Sequence, residues 1–400
     1  MSKNNSNFFE KKKEWSIVKD ELFGRYFKPY VSKIVHTKRP LVYVDCFAGK
    51  GKFEDGNPGS PLIALNILEQ CKASSKIKDP RIETVFIELN HSDELRENLK
   101  YYPDVKIFSG AYEEKIEYAL KDKENCNIFL YLDPYGIKGL RYSLFESFSN
   151  EKFNSIELLI NMNSFGFMRE ACRSMGVAFP ETEVFEDLVE YEPTMMDTSQ
   201  KSIIEINEIA GGDYWQPIVI SLKQGKIDGY EAEAKFAEKY CQRLSENYTY
   251  VLNMPVRIKR GHRPKYRLIH ATNHPSGCLL MVENIWNRWE TLREIQTGGQ
   301  MQMWEENYDN ELIDDDDIRE KAIQHFSQYT DFISLSKLLA NFFTRYGAIC
   351  SVRKLTGIIR QFENSGRMDV LRKPDKTRCD KPTKFMTESK EQSVCVRWIR

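Results

Sequence analysis

The chain has 400 residues, of which 41% are hydrophobic and 29% charged, and its formal net charge is −1. That length allows two or three domains with at least one sizeable core, and the composition is ordinary for a globular protein. No apolar run approaches the roughly 20 residues of a membrane-spanning helix. The nine cysteines are scattered with no C-x-x-C pair, which argues against a zinc ribbon and a disulfide framework.

The N-terminal MSKNNSNFFEKKKEW lacks the apolar core of a signal peptide, so a cytoplasmic location with reduced thiols is expected. The first third alternates two kinds of segment. LVYVDCF (41–47), ETVFIEL (83–89), VKIFSG (105–110), NIFLYLDP (127–134) and SIELLINMN (155–163) read as strands. Between them, residues 61–73, 92–102, 111–122 and 142–152 have helical patterning, the second opened by Ser92 and Asp93. Apolar strands separated by amphipathic helices predict βαβ units and a parallel sheet covered on both faces.

Residues 164–245 break this rhythm and read as a helical insertion and candidate lid, with PIVISL (217–222) its one strand-like run. YTYVLNMPVRI (248–258) and KYRLIHATN (265–273) then predict an antiparallel hairpin, and residues 278–289 a helix. Five parallel strands followed by a hairpin predict an α/β fold of the Class I (Rossmann-like) methyltransferase type, spanning residues 1–296. An acidic linker is expected over 297–317, and three helical patterns plus a short strand over 318–400 predict a winged helix-turn-helix domain. Residues 318–400 hold 17 Lys and Arg against 8 Asp and Glu, a net +9, whereas residues 1–317 hold 41 against 51, a net −10. A basic terminal unit suits a polyanionic partner, although a solvated basic surface has the same composition.

YVDCFAGKGKF (43–53) places a glycine turn directly after a strand. Phe53 follows Lys52 where a phosphate loop needs Ser or Thr, and Glu54 stands where a dinucleotide fingerprint needs its last glycine. A carboxylate at Asp45 would repel a pyrophosphate but suits a cation-bearing ligand, and S-adenosylmethionine carries both an ammonium and a sulfonium. Phe47, Ala48, Gly49 and Gly51 would then let the backbone approach that cofactor. Glu88 ends the next strand, where it would accept from ribose hydroxyls, and Ser109 and Gly110 occupy the adenine side after the third. A purely structural turn is the alternative.

YLDPYG (131–136) ends the fourth strand. Asp133 and the carbonyl of Pro134 would offer two acceptors to an exocyclic amine, with Tyr135 stacking on the base, which is catalysis by positioning. Amino-methyltransferases of nucleic acids carry [DNS]-P-P-[YFW] there, so the single proline is a partial match. The string is more similar to the Asp-Pro-Phe-Gly of tRNA guanine-N2 dimethyltransferases. A tight turn with Asp133 capping the next helix is the alternative. Arg257, Lys259, Arg260, Arg263 and Lys265 crowd the hairpin turn, and Arg353, Lys354 and Arg360 lie on the third C-terminal helical pattern. Both sets suit phosphate contacts. His270 and His274 are four apart on a strand, a spacing that does not converge on a metal, so His270 reads as structural and no metal site is expected.

Taken together, YVDCFAGKGKFEDGNPGSPLIAL, YLDPYG and KYRLIHATNHPSGCLLM resemble the three-Cys-motif partner protein family of bacteria, over roughly residues 15–295. Cys46 departs from the smaller residue more common between the aspartate and phenylalanine of that string. The resemblance implies a methyltransferase-like protein, a winged helix as in some members, and a radical-SAM-like partner carrying a three-cysteine motif. Two functions from different classes remain open. One is an S-adenosylmethionine-dependent methyltransferase acting on RNA or DNA. The other is a non-catalytic nucleic-acid-binding regulator or adaptor that uses the fold to dock its partner.

Overall fold

Strand β1 (Leu41–Asp45) shows how the pattern becomes architecture. Leu41 and Tyr43 point into one apolar cluster, and Val42 and Val44 into another on the opposite face. Every residue of the strand is buried, as a central strand covered on both sides requires. The computed structural model describes residues 12, 14–180, 200–256, 266–287, 314–377 and 379–399.

Helix α1 (Glu14–Val35) precedes β1. After it come α2 (Ser60–Ser74), β2 (Ile82–Glu88), α3 (Ser92–Asn98), β3 (Lys106–Ser109), α4 (Tyr112–Leu120), β4 (Asn127–Leu132), α5 (Tyr142–Ser149) and β5 (Ser155–Met162). Helices α6 (Ser164–Ser174), α7 (Gln200–Ala210), α8 (Gln216–Lys223) and α9 (Gly229–Leu244) follow. The domain closes with β6 (Tyr250–Val256), β7 (Tyr266–Thr272) and α10 (Pro275–Trp286). The result is a mixed α/β fold whose seven described strands run in the order β3-β2-β1-β4-β5-β7-β6. β1 to β5 pair in parallel, and β7 runs against both of its neighbours. α1, α2 and α10 cover one face, and α4 to α9 contribute to the other.

Three local expectations change. PIVISL is helical: Pro217 sits in the first turn of α8, and Ile218, Val219 and Leu222 are buried while Ile220 is 44% exposed, a helical and not an alternating pattern. α3 begins at Ser92, but its cap residue is His91 and no side chain of that cap accepts a bond. The carboxylate of Glu88 instead orders the turn that leads into the helix, accepting from the N–H groups of Asn90 at 2.8 Å and His91 at 3.0 Å. Finally, the segment ahead of β1, for which the sequence pattern predicts no element, forms α1.

The C-terminal unit comprises α11 (Asp315–Phe326), β8 (Ile333–Ser334), α12 (Leu335–Tyr346), α13 (Val352–Asn364), β9 (Met368–Lys373) and β10 (Ser393–Trp398). Its strands form an antiparallel sheet of order β8-β10-β9. The aspartates assigned to the linker open α11 instead. Asp314 caps it by accepting from the Asp316 N–H, and Asp315, Asp316 and Asp317 occupy the first turn, where negative charge complements the helix dipole.

This unit is docked on the α/β domain and not merely tethered. α12 packs on α10 and β6, and apolar side chains of α12 and α13 are continuous with those of α1, α2 and α10 in one cluster. Polar ties accompany the packing. The Val352 N–H donates to the Glu283 carboxylate at 2.9 Å, and Lys390 Nζ donates to the His36 carbonyl at 2.6 Å.

Candidate functional site at the strand ends

The parallel strands deliver Asp45, Glu88, Ser109 and Asp133 to one edge of the sheet, because each residue ends or directly follows its strand. Gly49 and Gly51 form the turn after β1 with φ of 59° and 76°, a region other residues adopt at a cost. At Gly51 a Cβ would lie 2.9 Å from Leu95 Cδ1, so the turn also requires a missing side chain. The loop then doubles back, with the Gly59 N–H donating to the Gly51 carbonyl at 2.9 Å.

Asp45 is fully buried. One oxygen accepts from the Phe47 N–H at 3.2 Å and the other from the Ser60 hydroxyl at 2.7 Å. Burial pushes its carboxyl up to about 7, against those two hydrogen bonds, with Asp133 and Glu88 adding repulsion. Asp45 therefore organises the turn from behind. Glu88 performs a similar task, since its second oxygen accepts from the Gly49 N–H at 2.7 Å. Ala48 is buried and held by the Ile87 carbonyl at 3.0 Å, and the Phe47 ring packs over Gly139 and beside Tyr112. Ser109 accepts from Arg96 at 2.8 Å, and the stem of Lys115 covers Gly110, so two cations flank the end of β3.

Asp133 is 28% exposed and does not cap a helix. Both of its oxygens accept from Lys19 Nζ, at 2.8 and 2.6 Å. Pro134 is buried, and Tyr135 is 58% exposed beside it. Lys19 comes from α1, is 6% exposed, and lies 5.2 Å from the centre of the Tyr266 ring. One residue along, Asp20 pairs with Lys12 at 2.6 Å. Burial raises the Asp20 carboxyl to about 6 despite Lys12 and Lys19. Lys12 also reaches the glycine loop, donating through its N–H to Asp55 at 2.9 Å and through Nζ to the Pro58 carbonyl at 2.8 Å.

Lys12, Lys19 and Asp20 are the site residues that sequence reasoning missed. The available signal was the spacing of Val18, Leu22, Phe23, Tyr26, Phe27, Tyr30 and Val31, which marks an amphipathic helix whose buried flank carries Lys19. Leu89 was also passed over. It follows Glu88 at the edge and is 60% exposed.

The remaining candidates are not drawn together here. Arg257, Lys259, Arg260, Arg263 and Lys265 lie outside the described residues. Arg353 and Arg360 are exposed on α13, but Lys354 is paired with Asp315, so acidic residues of α11 share that face. His270 is buried on β7, with Nε2 2.9 Å from the Tyr26 hydroxyl and 3.1 Å from Glu157, a packed polar cluster beneath α1. Among the described residues no group of His, Cys, Asp and Glu has an arrangement that could hold a metal ion, and no helix is long and apolar enough to cross a membrane.

No protein-family model matches the chain, and no curated protein matches it. Among solved structures, a loganic acid methyltransferase with SAH is similar over 74% of this chain and 90% of its own, at 10% identity and a TM-score of 0.29. A likeness that slight carries no argument about fold or function.

Proposed function

We propose that the protein is an S-adenosylmethionine-dependent methyltransferase of the Class I type. The observation that carries this is the combination of sheet and turn. A 3-2-1-4-5-7-6 order with β7 alone reversed is the order of that class, and the glycine turn stands at the carboxyl edge where open α/β sheets bind ligands. The residues present fit a cationic adenosine cofactor. Asp20, Asp45, Glu88 and Asp133 stand around the ends of β1, β2 and β4, with Lys12 and Lys19 among them and Arg96 and Lys115 apart beside β3; Gly49 and Gly51 keep the backbone approachable, and Leu89 offers an apolar ledge to a purine. The cofactor would supply the methyl group. This chain's residues would bind it, orient the acceptor at Asp133 and exclude water.

A nucleic-acid acceptor is supported by the basic C-terminal unit, and a three-cysteine radical-SAM-like partner by the family resemblance. A second possibility, an adaptor, is favoured by the docking of α13. Its N-terminal end, the part of a recognition helix that meets base edges, donates to Glu283 of α10. Calorimetric titration with S-adenosylmethionine, followed by tritiated methyl transfer to total RNA and DNA, tests both. Cofactor binding with transfer supports the enzyme. Binding without transfer, unaffected by Asp133→Ala, supports the adaptor, and no binding removes the cofactor altogether.

A further inference from the structure

We propose that Lys19 is a built-in counter-charge at the candidate site, a specificity residue that sets how strongly the pocket prefers a positively charged ligand over a neutral one. The inference rests on the cofactor proposed above. Its basis is geometric. Sequence reasoning put an acceptor's amine against Asp133, and the structure puts this chain's own ammonium there, with one contact to each oxygen.

That ammonium is costly to keep. Lys19 is 6% exposed, so it has given up most of its hydration for a carboxylate that is itself only 28% exposed. Lys12 is differently employed, since it pairs with Asp20 and reaches the Pro58 carbonyl, tying the approach to α1 onto the glycine loop. Lys19 is thus the cation that α1 presents to the end of β4, beside the aromatic face of Tyr266. A positive ligand near the ends of β1 and β4 gains from Asp20, Asp45 and Asp133, and Lys19 subtracts from that gain. A ligand of the same shape with a neutral sulfur is indifferent to it.

S-adenosylmethionine and S-adenosylhomocysteine form such a pair, and calorimetry of both against the full chain reads the effect directly. Lys19→Met keeps the aliphatic stem and removes the charge. It should raise the affinity ratio of the first ligand to the second roughly tenfold, equivalent to about 1.4 kcal/mol. Lys19→Arg should keep the wild-type ratio. Asp133→Asn, which removes the carboxylate charge facing Lys19, should lower the ratio, and this second measurement holds even if Lys19→Met folds poorly. An unchanged ratio in both variants, or equal loss of both ligands in Lys19→Met, overturns the inference while leaving the cofactor proposal standing. Wild-type protein that binds neither ligand overturns both.

Discussion

If the glycine turn serves a cationic ligand, the carboxyl of Asp45 should report its arrival as a proton. In the ligand-free protein burial holds that carboxyl at about 7. A unit positive charge placed about 6 Å away, at an effective dielectric constant of about 20, interacts with the carboxylate by roughly 3 kcal/mol, which lowers its pKa by about two units. Protonated Asp45 must then ionise as the ligand binds. At pH 6 the release is about 0.8 proton, at pH 8.5 it is near zero, and the affinity at pH 6 falls about tenfold below that at pH 8. Calorimetry of S-adenosylmethionine binding in buffers of different ionisation enthalpy counts the protons. Asp45→Asn keeps a side chain of the same size but cannot titrate, so its affinity should be lower at pH 8 and nearly flat down to pH 6. Comparing the two proteins at each pH cancels titration of the ligand itself. Proton release and pH slope identical in wild type and Asp45→Asn would refute the electrostatic role, leaving Asp45 a turn residue only.

Gly51→Ala should destabilise more than Gly56→Ala. Both sites have positive φ, 76° and 87°, but only at Gly51 does a Cβ meet Leu95, whereas nothing lies within 4 Å at Gly56. Backbone strain alone costs roughly 1–3 kcal/mol, so equal losses of melting temperature would show that Leu95 yields freely. His325 is 3% exposed, and burial chiefly lowers its pKa from 6.5 to about 4, with Arg345 acting in the same direction. Its folded value lies below the unfolded one, so the neutral ring's contribution is complete above pH 6.5 and is lost as pH falls through 4. Urea unfolding should show about 2 kcal/mol less stability from this group at pH 5 than at pH 7.5, a slope absent in His325→Phe. Ala340, fully buried at the seam where Cys278 meets α12, tests the docking. Ala340→Asp buries an unpaired charge and should lower one cooperative melting transition of the whole chain. Two separate transitions, with only one moved, would contradict a shared core.

The parallel sheet was legible because buried strands leave unbroken apolar runs and the helices between them leave a 3.6-residue period. The glycine turn was legible for a related reason, since a backbone that must bend tightly or pass close to a neighbour leaves glycines behind. PIVISL misled because six residues are too few to separate the two periods, and only the exposure of Ile220 reveals the helix. Asp45 and Glu88 were found at the right edge, but their partners were not visible. Backbone N–H groups leave no letter in the sequence, so that these carboxylates hold Phe47, Gly49, Asn90 and His91 could not be read. Lys19 was hidden differently, being 114 positions from Asp133 and meeting it only because α1 packs over the face of β1 and β4 with its first turns reaching the end of β4.

The docked C-terminal unit changes how a nucleic acid would have to be met. A basic domain on a free linker could swing its recognition helix into a groove. Here α12 and α13 share their apolar core with α1 and α10, and the first N–H of α13 is given to Glu283. Freeing that helix would expose apolar surface on both units, a penalty that phosphate contacts alone would have to overcome. Binding without undocking leaves the outward-facing side chains, among them Arg353 and Arg360 on α13 and Lys373, Lys376, Lys381 and Lys384 around the turn between β9 and β10. Their contacts to phosphates would position a nucleic acid without carrying sequence information. If the protein is selective among nucleic acids, the selection then falls to the strand-end residues around Asp133 and Tyr135, and the basic unit supplies affinity that weakens with salt.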